Sequence, residues 1–183
     1  MWRVLAILIS LAAAAAAQRS PRKPAASAPA PAVVNLQPLT TTSHMSASPA
    51  SITFTSTDPD SGAVSGSSTA TVTWRVSGGA TTRNWTLSLQ ASAVNMTNCS
   101  NVPVSAVKVT CASATYSGGG GTGACSSAFN LSNALQTVAS GKEGTGNRSA
   151  TVTVNFSFTD QWSYVAHTAP ACGVALTYSV TNP

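Results

Sequence analysis

The chain is 183 residues long, with nine Lys and Arg, four Asp and Glu, and a formal net charge of +5. Charged residues make up only 7% of it, against about 25% in an average soluble domain. Four of the nine basic residues precede residue 24, so the remainder carries five basic and four acidic residues. Such a nearly neutral domain lacks the basic footprint of proteins that bind phosphate backbones, so we expect no nucleic-acid binding.

The N-terminus has the pattern of a secretory signal peptide over residues 1–17. A short basic start with Arg3 is followed by an apolar stretch and by alanines that run through Ala17. We expect cleavage after Ala17, because the apolar stretch is short for a retained membrane anchor, the alternative reading. No later stretch is long and apolar enough for a membrane span. We therefore predict a secreted or cell-surface protein.

Residues 18–32 are rich in Pro, Ala and basic side chains, which is typical of an extended linker. A single domain is predicted to fill residues 33–183. Its clearest early feature is a pair of alternating runs, residues 69–77 and 84–92, joined through a Ser-Gly-Gly turn. Strict alternation indicates strands with one buried face. Trp74 and Trp85 share parity with the apolar positions, so both are predicted to lie in the core.

Other short strands are predicted along the rest of the domain, with turns between them. A short strand over residues 33–39 is expected at a sheet edge, and 149–159 forms the cleanest alternation of all. The remaining predicted strands are 51–56, 104–111, 135–140 and 172–181, with turns at 58–62 and 141–147. Seven to nine short strands without helical periodicity predict an all-β fold, an antiparallel, Ig-like β-sandwich.

Four cysteines follow the signal peptide, which is typical of disulfide-bonded proteins in oxidising compartments. Three connectivities are possible. Cys111 and Cys125 flank a glycine-rich loop almost symmetrically, which favours that pair and leaves Cys99 with Cys172. Parity places Cys111, Cys125 and Cys172 on apolar faces, so we expect the bridges inside the sandwich.

A metal site is disfavoured, because the sequence has no Cys-x-x-Cys pair and neither His44 nor His167 lies near a cysteine cluster. The turn at 58–62 lacks the distal glutamate of a calcium loop. We expect no metal and no cofactor.

Groups suited to catalysis are few. Asp58 and Asp60 form the one close carboxylate pair, and they flank a proline in a turn, whereas a glycosidase needs two carboxylates across a cleft. No Gly-x-Ser-x-Gly motif accompanies the histidines, as a serine hydrolase of that type would need. The sequence therefore predicts a protein that is not an enzyme.

Two segments, residues 51–54 (Ser-Ile-Thr-Phe) and 84–89 (Asn-Trp-Thr-Leu-Ser-Leu), resemble exported bacterial surface β-sandwich domains. Trp85-Thr86-Leu87 is similar to one of the paired motifs of WxL cell-surface domains, although Trp162-Ser163-Tyr164 has no leucine where the second motif would stand. The chain also resembles pilus subunits, exported disulfide-bearing sandwiches with an alternating last strand, which polymerise by strand donation. These resemblances imply cell-wall binding or assembly.

We expect a structural or adhesive surface protein, with itself as one partner. In that hypothesis residues 33–39 are donated as a strand across an exposed edge of another copy. The alternative is a carbohydrate or cell-wall binding module whose partner is surface polysaccharide. Its contact site would be Trp162 and Tyr164, the one aromatic pair predicted to be exposed at a strand end.

Overall fold

The computed structural model describes residues 32–38, 45–55, 59–76, 83–117, 119–145, 148–164 and 171–181. The predicted signal peptide, all of the predicted linker except Ala32, and His44, Asp58 and His167 lie outside the described residues.

Fourteen strands occur among the described residues, more than the seven to nine predicted, because six short strands of two to five residues were not distinguished from the turns around them. They are β1 (Ala32–Pro38), β2 (Met45–Ser48), β3 (Ser51–Phe54), β4 (Val64–Ser65), β5 (Ala70–Val76), β6 (Asn84–Ala91), β7 (Asn95–Met96), β8 (Cys99–Pro103), β9 (Val107–Tyr116), β10 (Thr122–Cys125), β11 (Phe129–Asn130), β12 (Gln136–Lys142), β13 (Arg148–Phe158) and β14 (Gly173–Thr181). Two 3₁₀ turns, Pro59–Ser61 and Val104–Ala106, complete the described secondary structure.

The strands form two main sheets that share one core, so the all-β sandwich prediction is confirmed. The first sheet has the order β10-β12-β6-β14-β1-β3. The second has the order β11-β9-β13-β5-β2, with β4 beside the end of β13. Strands β7 and β8 form a separate hairpin.

The place of β1 differs from the sequence prediction in two ways. It pairs with β14 in parallel, from Val33 opposite Gly173 to Pro38 opposite Tyr178, so the sandwich is not antiparallel throughout. It also lies inside the first sheet, because β3 pairs with its other side. The prediction of an edge strand was therefore wrong. Alternation predicts that a segment is a strand, but it contains no information on which strands become its neighbours.

The core contains the two tryptophans, as the alternation predicted. Trp74 and Trp85 are 1% and 0% exposed, and their rings meet edge to face with centroids 5.1 Å apart. They come from different sheets, so this contact joins the two layers. The Trp85 indole N–H donates to the backbone oxygen of Thr122, 3.2 Å away.

Two disulfides are present, with the connectivity that the loop symmetry favoured. Cys99–Cys172 is buried and ties β8 to the residue before β14. Cys111–Cys125 instead joins β9 of the second sheet to β10 of the first, with Cys111 half-buried and Cys125 exposed.

The expectation that both bridges lie inside the sandwich was therefore wrong for Cys111–Cys125. Parity indicates which face of a strand a residue occupies, but not how close the strand lies to a sheet edge. Here β10 is an edge strand and β9 is next to one.

Among the residues that the structure describes, no helix has the length and apolar character needed to cross a membrane.

Candidate functional site

The structure separates the predicted aromatic pair. Trp162 is 48% exposed, and its indole N–H donates to Asp60 Oδ1 at 2.8 Å. Tyr164 is half-buried against the core, with its ring centroid 6.3 Å from that of Phe158. Burial, and to a smaller extent the nearby carboxylate of Asp160, raises the pKa of the Tyr164 hydroxyl. Trp162 thus presents a surface to solvent, whereas Tyr164 mainly extends the core.

The predicted turn at Asp60 orients the tryptophan. Pro59–Ser61 forms a 3₁₀ turn, and the Asp60 carboxylate accepts the bond that fixes one edge of the Trp162 ring. Of the residues described, no three His, Cys, Asp or Glu side chains come together as a metal site would require.

A groove that the sequence did not predict lies on the outer face of the second sheet. β4 pairs Ser65 with Ser157, and β5 resumes with Ala70 opposite Val154. Residues 66–69 therefore stand opposite only two residues of β13 and bulge away from it. The space of about 440 Å³ beside this bulge, which we call the hydroxyl groove, is lined by Ser65, Gly66, Ser67, Ser68, Thr69, Thr110, Asn155, Phe156 and Ser157.

Hydrogen bonds hold the bulge in place on both sides. Toward β13, the Gly66 amide donates to Phe156 O at 2.9 Å, and the Thr69 hydroxyl donates to Asn155 Oδ1 at 2.8 Å. Toward β3, the Ser67 amide donates to Thr53 O at 2.8 Å, and the Thr53 amide donates to Ser67 Oγ at 3.1 Å. The bulge therefore links the second sheet to the edge strand of the first.

The lining of the groove is polar and uncharged. Hydroxyl groups and one carboxamide supply nearly all of its side-chain chemistry. One cation lies at its border, because Lys108 stands opposite Ser157 across the β9–β13 pair and is exposed. In the sequence, the groove is indicated by Asn155, because this residue interrupts the series of outward Thr residues along β13.

The burial of Glu143 was also not predicted from the sequence. Glu143 lies in the predicted turn at 141–147, yet only 4% of its surface is exposed, and its Oε1 has no hydrogen-bond partner among the described residues. Burial raises the pKa of this carboxyl, and the positive charge of Arg83 opposes the shift. Its amide donates to Arg83 O at 2.7 Å, which connects the end of β12 to the start of β6.

No protein-family model matches the chain, and no curated protein matches it.

Proposed function

We propose that this is an exported, non-enzymatic structural or adhesive protein of the cell surface, which self-associates by exchange of β1. The observation that carries the proposal is the position of β1. A strand from the N-terminal end of the domain occupies an interior place in the first sheet, between β14 and β3. A second copy of the chain has the same strand and can supply the same hydrogen bonds in the same place.

Interactions with both neighbouring strands strongly favour a strand in the place that β1 occupies. β1 is opposite six residues of β14 and four of β3, so its withdrawal leaves one side of β14 unpaired and removes the strand that joins β3 to the sheet. The flanking strands also contain fully buried apolar side chains, among them Ile52 and Leu176. Unpaired backbone beside apolar side chains favours rebinding of a strand over an empty slot. Exchange preserves these interactions, because a donated β1 replaces the one that left.

Export and the absence of catalysis are supported by simpler observations. Two disulfides are typical of proteins from oxidising compartments. Of the described carboxylates, Asp60 holds the Trp162 indole, Asp160 accepts a hydrogen bond from the Gln161 amide, and Glu143 is buried. These environments favour structural roles for all three.

The direction of β1 determines what kind of assembly its exchange produces. β1 runs toward the end of the sandwich at which β14 finishes, and β2 starts at that same end, with Met45 opposite Trp74. Only six residues separate Pro38 from Met45, a reach of about 20 Å when extended. Parallel exchange therefore brings the same ends of two copies together and closes a reciprocal pair. Insertion in the reverse direction brings opposite ends together and builds an open filament.

A cysteine pair across the β1–β14 register tests the exchange. Asn35 stands opposite Ala175, so Asn35→Cys with Ala175→Cys forms a bridge within one chain if β1 stays in its own sheet. Exchange instead links different chains, and non-reducing gels after concentration show covalent dimers for closed pairs or ladders for filaments. Thr71→Cys with Thr153→Cys is the control, because these residues of β5 and β13 are opposite each other in one chain. Monomers at every concentration would refute exchange.

A second function, carbohydrate or cell-wall binding, is favoured by Trp162. Its indole is exposed and oriented by Asp60, and an exposed aromatic face is suited to stacking on a sugar ring. Trp162→Ala should abolish binding of the protein to isolated wall polysaccharide in a pull-down. Leu135→Ala is the matched control, because Leu135 is 53% exposed and also lies in a loop. Equal binding by both variants would rule out this contact.

A further inference from the structure

We propose that the hydroxyl groove is a saccharide-binding site. The inference rests on the second candidate function above and assigns it a groove formed by residues that lie apart from Trp162. The site would hold one end of a surface glycan on the outer face of the second sheet.

The groove is held in shape by hydrogen bonds within the protein, before any ligand binds. The bulge at residues 66–69 is fixed to β13 by Gly66 and Thr69 and to β3 by Ser67. Binding then needs little further ordering of the chain, which is the cost that most often weakens recognition of small ligands. The volume of about 440 Å³ lies within the range of about 300–1,000 Å³ for small-molecule sites.

The chemistry of the lining suits a saccharide. The lining offers hydroxyls that both donate and accept, together with the carboxamide of Asn155. These groups match a ligand that carries many hydroxyls and no obligatory charge. A peptide is a poorer match, because peptide recognition uses a free strand edge or apolar side-chain pockets. The edge of β3 beside the groove is already bonded to Ser67.

The groove also lies close to Trp162 along the second sheet. Asp60 and Trp162 lie on one side of the short β4–β13 pair, and the bulge follows on the other, since Val64 is opposite Phe158 and Ser65 is opposite Ser157. A chain of linked sugars can therefore contact the groove and the tryptophan together. Lys108 at the border predicts tighter binding of sugars that carry a carboxylate.

The test is a titration of the isotope-labelled protein with cellobiose, chitobiose and digalacturonic acid, followed by amide chemical shifts. We expect shifts at Ser67, Thr69 and the Asn155 side-chain amide. Thr110→Val removes one groove hydroxyl with little change in shape and should weaken binding by about three- to tenfold. Thr69→Val also removes the hydrogen bond to Asn155 that holds the bulge, so it should weaken binding at least as much. Thr71→Val is the matched control on the same face of β5, two residues beyond Thr69, and should leave affinity unchanged.

The outcomes separate this inference from the function on which it rests. Shifts confined to the surroundings of Trp162, with loss of binding in Trp162→Ala and none in Thr69→Val, would overturn the groove site but keep glycan binding. No shift with any of the three sugars at millimolar concentration would overturn both. Exchange of β1 is judged by the cysteine pair and is unaffected by either result. If Lys108→Gln weakens only the binding of digalacturonic acid, the groove prefers acidic sugars.

Discussion

The two open sides of the sandwich are closed by different means. On the side of β3, the bulge at residues 66–69 bonds to Thr53 through Ser67. On the side of β10, the disulfide Cys111–Cys125 connects the two sheets. Sheet edges left open invite pairing with other chains, so both solutions protect the monomer. This chain is poor in charged residues, and it protects its sheet edges with a disulfide and a hydrogen-bonded bulge. Other proteins place lysines at such edges.

Close packing of a glycine accompanies each closure. A Cβ on Gly123 of β10 would lie 2.7 Å from the backbone oxygen of Ala114, so β10 approaches the backbone of β9 directly. A Cβ on Gly66 in the bulge would lie 2.5 Å from Ile52 Cγ2. Each side therefore depends on a residue without a side chain at the point of contact.

Of the changes that open one side of the sandwich, removal of the Cys111–Cys125 disulfide should lower the free energy of unfolding most. Cys111→Ala with Cys125→Ala should lower the free energy of unfolding by about 3 kcal/mol on the chain-entropy model, since the closed loop spans 14 residues. Urea unfolding measures it. The buried pair Cys99–Cys172 spans 73 residues, so its removal is the control and should cost about 4 kcal/mol. A loss well below 1 kcal/mol for the first variant would mean that Gly123 packing alone closes that side.

Gly123→Ala should cost about 2 kcal/mol, because the new methyl group meets rigid backbone of β9 and forces the strands apart. Thermal unfolding of the variant measures this change. Gly66→Ala tests the opposite side and should cost a comparable amount, because the new methyl group meets Cγ2 of Ile52, a fully buried and β-branched side chain. Gly120→Ala is not a suitable control, because Gly120 has a φ of 80°. Ala124→Ser, at an exposed β10 position, should be nearly neutral. A negligible cost at either glycine would contradict the close packing at that side.

Ser67→Ala should cost about 1 kcal/mol, because the Thr53 amide loses the hydroxyl that accepts its hydrogen bond. Ser68→Ala, one residue along the same bulge, is the matched control. Hydrogen exchange at the Thr53 amide provides a direct readout, and we expect faster exchange in Ser67→Ala alone. Unchanged protection of Thr53 would mean that the bulge does not shield the β3 edge.

Glu143 provides the smallest and most pH-dependent prediction, at the end of β12, the strand next to β10. Its carboxyl has a pKa raised from 4.5, so the folded state favours the neutral form, and the protein loses stability as pH rises through that pKa. Glu143→Gln should therefore raise the free energy of unfolding at neutral pH, by less than the ~1 kcal/mol expected at Ser67, and leave it unchanged below pH 4.5. Lys142→Gln controls for surface charge. A stability gain that persists in acid would contradict this explanation.

Much of the candidate site was hidden from the sequence for identifiable reasons. Trp162 was found, because an aromatic residue just after an alternating run stands at a strand end. The partnership of Trp162 with Asp60 joins residues 102 positions apart, so local patterns contain no signal for it. The groove needs a mismatch between two paired strands, and neither strand alone shows it. The burial of Glu143 was missed because charge and glycine are usual signs of an exposed turn.

The sequence by itself determined the strand-rich character, the two-sided alternation and the burial of Trp74 and Trp85. These follow from local periodicity, since side chains alternate between faces along every strand. Only the tertiary structure decided that β1 lies parallel to β14, that Cys111–Cys125 joins two sheets, and that residues 66–69 bulge. Each of these depends on which distant strands become neighbours, and that choice is made by packing of the whole chain rather than by any segment.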